Sequence, residues 1–141
     1  MLTLDKGMDE GFLSVEQASL LLPLEHQIVD KVERSLYTTK GGKRIAISNS
    51  KLYDDNTFWY SCTVKYFREN GVEKICFIAG LQGVLLVPVE RLADYIEHCG
   101  WKKQKKGLSY YIRIKYRDER YILFCSECED IDITDCFIPI R

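Results

Sequence analysis

Residues Phe58 to Glu97 read FWYSCTVKYFRENGVEKICFIAGLQGVLLVPVERLADYIE. The first nine alternate. Phe58, Tyr60, Cys62, Val64 and Tyr66 fall on one face; Trp59, Ser61, Thr63 and Lys65 fall on the other. A period of two in aromatic and β-branched residues predicts a half-buried strand over 58–66. Arg68-Glu69-Asn70-Gly71 reads as a hairpin turn, because Asn-Gly tolerates the positive φ of a tight turn. Ile75-Cys76-Phe77-Ile78-Ala79 has no polar face, which predicts a central strand covered on both sides. Gly80 and Gly83 bracket a second turn, and Val84-Leu85-Leu86-Val87 is a further apolar run. The three strands are expected to share one sheet.

Pro88 stops the last of them, since it has no N–H to give a ladder, and it suits the start of a helix. Val89, Leu92, Ile96 and Cys99 keep helical spacing, Glu90 favours the first turn, and Gly100 suits the stop. A helix over 89–99 follows.

Working outward, Ser14 with Gln17 forms a capping box ahead of a helical piece, Val15 to Leu22. Pro23 interrupts, and Leu24, Ile28, Val32 and Leu36 extend the helical spacing to Tyr37. This region is expected to cover one sheet face or to make a helical dimer contact. Thr38 to Lys43 is a loop with two glycines and two lysines, without the spacing of a P-loop. Arg44 to Ser48 is a short strand, and Asn49 to Asn56 a polar loop. Tyr110 to Tyr116 alternates, Arg117-Asp118-Glu119-Arg120 turns the chain, and Tyr121 to Cys125 returns. Phe137 to Ile140 suits an edge strand, because Pro139 cannot donate. The expected fold class is α+β: an N-terminal helical region, a mostly antiparallel sheet of about five to six strands, and one further helix at 89–99.

The 141 residues suit a single domain spanning 1–141. The net charge of -1 excludes polyanion binding by bulk charge alone. No run approaches the ~20 apolar residues of a membrane span, and Met1-Leu2-Thr3-Leu4-Asp5 lacks a basic leader. A cytoplasmic protein without membrane attachment is expected. Of six cysteines, Cys62, Cys76 and Cys99 fall on apolar faces. Cys125 and Cys128 have ligand or redox spacing, but no second pair accompanies them; Cys136 and His98 are the remaining candidate ligands. Reduced thiols, no metal and no cofactor are expected.

Metal-dependent nuclease chemistry requires converging carboxylates with a nearby lysine. Asp54, Asp55, Glu73, Lys74 and Lys65 are the candidates. Glu73 and Lys74 are adjacent, so a strand points them to opposite faces, and Thr63 stands where Lys65 would need a carboxylate. The two histidines, His26 and His98, lie in no Cys–His motif. No catalytic residue is assigned. Between 102 and 120, eight cations face two carboxylates, a local charge of +6. Arg113, Lys115 and Arg117 share one strand face with Tyr111. Lys102, Lys103, Lys105 and Lys106 precede that strand, beside Trp101. Cations there would neutralise phosphates, and Tyr111 or Trp101 would stack on bases.

The succession Phe58-Trp59-Tyr60, Ile75-Cys76-Phe77-Ile78, Val87-Pro88 and Tyr111-Ile112-Arg113-Ile114, over residues 43–125, resembles small α+β segments around prokaryotic restriction and homing endonucleases, the PD-(D/E)XK neighbourhood. The acidic catalytic pattern of that family does not map onto this chain. The resemblance implies a DNA-associated module in a defence or mobile-element setting, not cleavage. The expected function is therefore a non-catalytic module that binds DNA or RNA, or a nucleic-acid enzyme. A degenerate metal-dependent nuclease and a protein–protein interaction module, including a homodimer, are the alternatives.

Overall fold

A computed structural model describes residues 11–62, 64–99, 110–124 and 129–140. Its class is α+β, as expected, but among the described residues ten strands form two sheets. The strands are β1 (Ile28–Glu33), β2 (Leu36–Thr39), β3 (Arg44–Ser50), β4 (Thr57–Cys62), β5 (Val72–Ala79), β6 (Gly83–Pro88), β7 (Tyr110–Arg117), β8 (Arg120–Phe124), β9 (Ile131–Asp132) and β10 (Phe137–Pro139). Among the described residues the α-helices are α1 (Val15–Leu21), α2 (Val64–Glu69) and α3 (Val89–Cys99). The larger sheet has the order β1-β2-β3-β5-β6-β10 and the smaller β4-β7-β8-β9. Every pairing is antiparallel except β3 with β5.

Strand β5 is the centre, as its unbroken apolar run predicts. Ile75, Cys76, Phe77, Ile78 and Ala79 are each 0–1% exposed. Ile75, Phe77 and Ala79 face a core shared with the smaller sheet, α2 and α3; Cys76 and Ile78 face a second core under α1. Tyr60 crosses the first core. Its ring lies 4.6 Å from that of Phe77, and its hydroxyl donates to the Ile78 carbonyl at 2.8 Å. The central strands β5 and β6 are thus covered on both sides.

Several expectations are corrected. The 58–66 strand ends at Cys62, and its sheet is not that of β5 and β6. Val64 and Phe67, three residues apart, turn into the core as one face of α2. The apolar–polar order of Val64-Lys65-Tyr66 satisfies either period, and packing chooses the helix. Asn70-Gly71 is accordingly a helix stop and not a hairpin. Gly71 has φ +71, and its N–H donates to the Arg68 carbonyl at 3.2 Å.

Residues 24–37 do not continue a helix. Leu24 to His26 form one 3-10 turn, and β1 and β2 form a hairpin around Arg34, at φ +45, and Ser35. Leu24 is 68% and Val32 42% exposed, while Leu36 is buried and Ile28 packs on the second core, so the four residues do not act as one helical stripe. The β-branched Ile28, Val29 and Val32 instead suit extended backbone. The capping box does form: Ser14 Oγ accepts from the Gln17 N–H and Gln17 Oε1 from the Ser14 N–H, both at 3.0 Å. Pro88 closes β6 opposite Lys74, and α3 begins at Val89. Its Val89, Leu92, Ala93, Tyr95 and Ile96 are buried. Among the described residues no helix is long and apolar enough to cross a membrane.

Phe77→Ala empties space at the contact between β5 and Tyr60. It should cost ~3–5 kcal/mol, the usual loss for a buried aromatic. Urea denaturation with an unchanged midpoint would contradict this placement of the core.

Candidate nucleic-acid interface

The smaller sheet has an inner and an outer face because its strands alternate. Phe58, Tyr60, Cys62, Ile112, Ile114, Tyr121 and Leu123 point inward and are buried. The outward residues meet in rows set by strand register. Trp59 pairs with Arg113, and Arg113 with Phe124. The Arg113 guanidinium carbon lies 5.4 Å from the Trp59 ring centre and 4.7 Å from that of Phe124. One cation therefore stands between two aromatic rings, each contact being worth ~0.5–1 kcal/mol at an exposed site. Arg113 has no carboxylate partner among the described residues.

The neighbouring row is Thr57, Lys115, Ile122 and Asp132. Lys115 Nζ lies 2.8 Å from Asp130 and 5.1 Å from the Phe124 ring centre. At the hairpin end Arg117 opposes Arg120. Asp118 and Glu119 there have φ +52 and +63, the paired positive values of a two-residue type I′ turn. Arg120 Nε donates to Asp132, and the exposed Arg117 lies 3.9 Å from the carboxylate of Asp118.

The sequence-level charge of this region is therefore partly cancelled. Lys115 and Arg120 carry Asp130 and Asp132 as carboxylate partners, and Asp135 pairs with Arg91 at 3.0 Å, so the charges of the β9 side largely cancel. Of the predicted site residues, Arg113, Lys115 and Arg117 share the outer face as expected. Tyr111 pairs through its backbone with Ser61. Trp101, Lys102, Lys103, Lys105 and Lys106 lie outside the described residues, as do Cys125 and Cys128. Trp59 and Phe124 were not expected beside Arg113. The alternation put Trp59 opposite Phe58, but only the strand register joins these three side chains.

Trp59 is held in place from β3. Its N–H donates to Ser50 Oγ at 3.0 Å, while the same hydroxyl donates to the Lys51 carbonyl at 2.7 Å. The 51–56 loop folds back over Thr57, which is buried although it points outward. Between this loop and Trp59 lies an open depression of about 360 Å³, lined by Lys51, Leu52, Tyr53, Asp54, Asp55 and Trp59.

The other chemistry is dispersed. Asp54 and Asp55 follow the Ser50 end of the β3–β5 pair, whereas Glu73 stands at the opposite end, roughly 20 Å along the strand at ~3.3 Å per residue. Glu73 is taken by Lys43 at 2.7 Å, whose hydrogen bond holds its carboxyl below the usual range. Among the described residues no three His, Cys, Asp or Glu side chains gather as metal ligands. Burial pushes the Cys62 and Cys76 thiols up to about 12, so both stay protonated at neutral pH and are poor nucleophiles. The outer edge strand β1 carries Asp30, Lys31 and Glu33 and has two register irregularities, features that discourage edge-to-edge pairing. Comparison of the chain with protein-family models, with curated proteins and with solved structures yields no match.

The hydrogen bond from Arg120, with others from Thr134, holds the Asp132 carboxyl down at about 2. The folded value lies below the ordinary 3.8, so whatever stability the pair adds is complete above that value and fades as pH falls toward 2. A carboxyl NMR titration should place the Asp132 midpoint near 2, and Arg120→Gln should move it back up. The thiols provide a second check. Iodoacetamide at mildly alkaline pH should leave Cys62 and Cys76 unmodified in the folded protein and alkylate both in denaturant; labelling of the folded protein would contradict their burial.

Proposed function

We propose that this protein is a non-catalytic nucleic-acid-binding module whose contact surface is the outer face of the smaller sheet, on its β4–β7 side. The observation that carries the reading is Arg113, a cation without a carboxylate partner among the described residues, set between the rings of Trp59 and Phe124. A guanidinium held in this way presents N–H donors to a phosphate while its neighbours present π surfaces to bases. Arg117 extends the positive lane along β7. On the β9 side the cations and carboxylates pair with each other, so that side has little net charge to attract a polyanion. The basic 102–106 segment adds charge next to the same strand in sequence. In this reading the module works in the cytoplasm, beside a nucleic-acid enzyme of the kind found in prokaryotic defence or mobile elements.

With few unpaired cations on the sheet, affinity should fall with salt, but with a shallow slope. Fluorescence anisotropy with labelled duplex and single-stranded DNA and RNA, from low to moderate salt, measures this. Arg113→Glu should weaken binding by about tenfold or more and lower the salt slope by about one. Because the site is at the surface, melting should change little. Absence of binding at low salt, or equal binding by Arg113→Glu, would exclude this surface.

A further inference from the structure

We infer that the ligand of this face is single-stranded, and that one of its bases stacks at Trp59 in the depression beside the 51–56 loop; the inference rests on the nucleic-acid reading above. Three observations meet there. Trp59 is 42% exposed although a hydrogen bond from its own backbone to Ser50 fixes its position on the strand. A large indole held at the surface by a rigid strand is a stacking platform whose ordering cost is already met by the fold. The depression it borders has the volume of a small ligand site, and Tyr53, 44% exposed, lines the same hollow.

The charges assign the parts of the ligand. Lys51 Nζ lies 4.9 Å from the Tyr53 ring centre, so a cation stands by the hollow. Asp54 and Asp55 also line it, and two carboxylates repel a phosphate. The backbone of a bound strand therefore runs outside the hollow, over Arg113 and Arg117, and what enters is the uncharged base. Carboxylate oxygens at the lip accept hydrogen bonds from the exocyclic amino groups of adenine, cytosine or guanine. A duplex keeps the π faces of its bases stacked on each other, whereas a single strand has such faces to offer. The shared chemistry is that of single-stranded DNA and RNA.

The experiment uses the full parent chain for affinity and, for emission alone, the full chain carrying Trp101→Phe, in which Trp59 is the only tryptophan. Labelled single strands of DNA and of RNA, and a duplex of equal length, are titrated by anisotropy while tryptophan emission is followed. Single strands are expected to bind more tightly than duplex and to quench Trp59 emission, and in the parent chain Trp59→Ala is expected to weaken single-strand binding by about tenfold with little effect on duplex. Trp59→Phe is expected to recover part of that loss, because it restores an aromatic face. If DNA and RNA single strands differ, the tighter of the two names the source. Duplex binding that depends on Arg113 but leaves Trp59 emission unchanged would overturn the single-strand inference and leave the binding surface standing. Absence of binding by every nucleic acid at low salt would overturn both.

Discussion

The seven residues of β3 lie parallel to β5, with Arg44 beside Val72 and Ser50 beside Ala79. Parallel neighbours cannot be joined by a tight turn, so the chain must leave the sheet and cross one of its faces before it returns. The connection is residues 51–71, and it carries β4 and α2. Both bury their apolar sides on the face of β5 that holds Ile75 and Phe77. With β4 lifted off the larger sheet, its backbone groups need a different partner. They find β7, which brings β8 and β9 with it. The smaller sheet, and hence the outer face with Arg113, exists because two strands of the larger one run the same way.

Burial then ties the layers together. Phe58 lies near both Tyr60 and Tyr121, at 6.4 and 6.3 Å between ring centres, and Tyr121 stacks on Phe137 of β10 at 4.3 Å. This aromatic chain runs from the smaller sheet to the edge strand of the larger. Rings paired in this way add ~0.5–1.5 kcal/mol beyond the area they bury. The Tyr60 hydroxyl reaches a carbonyl of the central strand, which avoids an unsatisfied polar group in the core. A rigid inner face makes a rigid outer one, since the two sets of side chains alternate along the same backbones. Trp59 lies between Phe58 and Tyr60, both almost wholly buried, so its backbone can shift only if theirs does.

Electrostatics on the outer face is a matter of local pairing rather than of totals. A net charge of -1 conceals a basic stretch, but that stretch is itself divided. Asp130 and Asp132 follow β8 and fold against the cations of the hairpin, at Lys115 and Arg120. Such solvent-screened surface pairs add little to stability. Their larger effect is on the field: they cancel Lys115 and Arg120 and leave Arg113 of β7 as a cation with no carboxylate partner among the described residues. Arg113 keeps its place through ring contacts instead of a carboxylate, so its charge remains available to a ligand.

The amino-acid order alone determined whatever depends on neighbours along the chain. The unbroken apolar run Ile75–Ala79 determined a strand covered on both faces, and Pro88 with its following spacing determined the helix at 89–99. Ser14 with Gln17 determined a capped helix start. Alternation determined that Arg113, Lys115 and Arg117 share a face opposite Ile112 and Ile114. Tertiary structure decided what depends on partners distant in sequence. It chose helix over strand after Cys62, because Val64 and Phe67 had a core to enter. It chose strands over helix at 28–39, where β3 pairs with β2 and the alternating Leu36 and Tyr37 enter the two cores on opposite faces. It divided the strands between two sheets, and it seated Trp59, Arg113 and Phe124 in one row. Register between strands far apart in sequence is set by the closing of the whole core, and no local pattern of residues contains it.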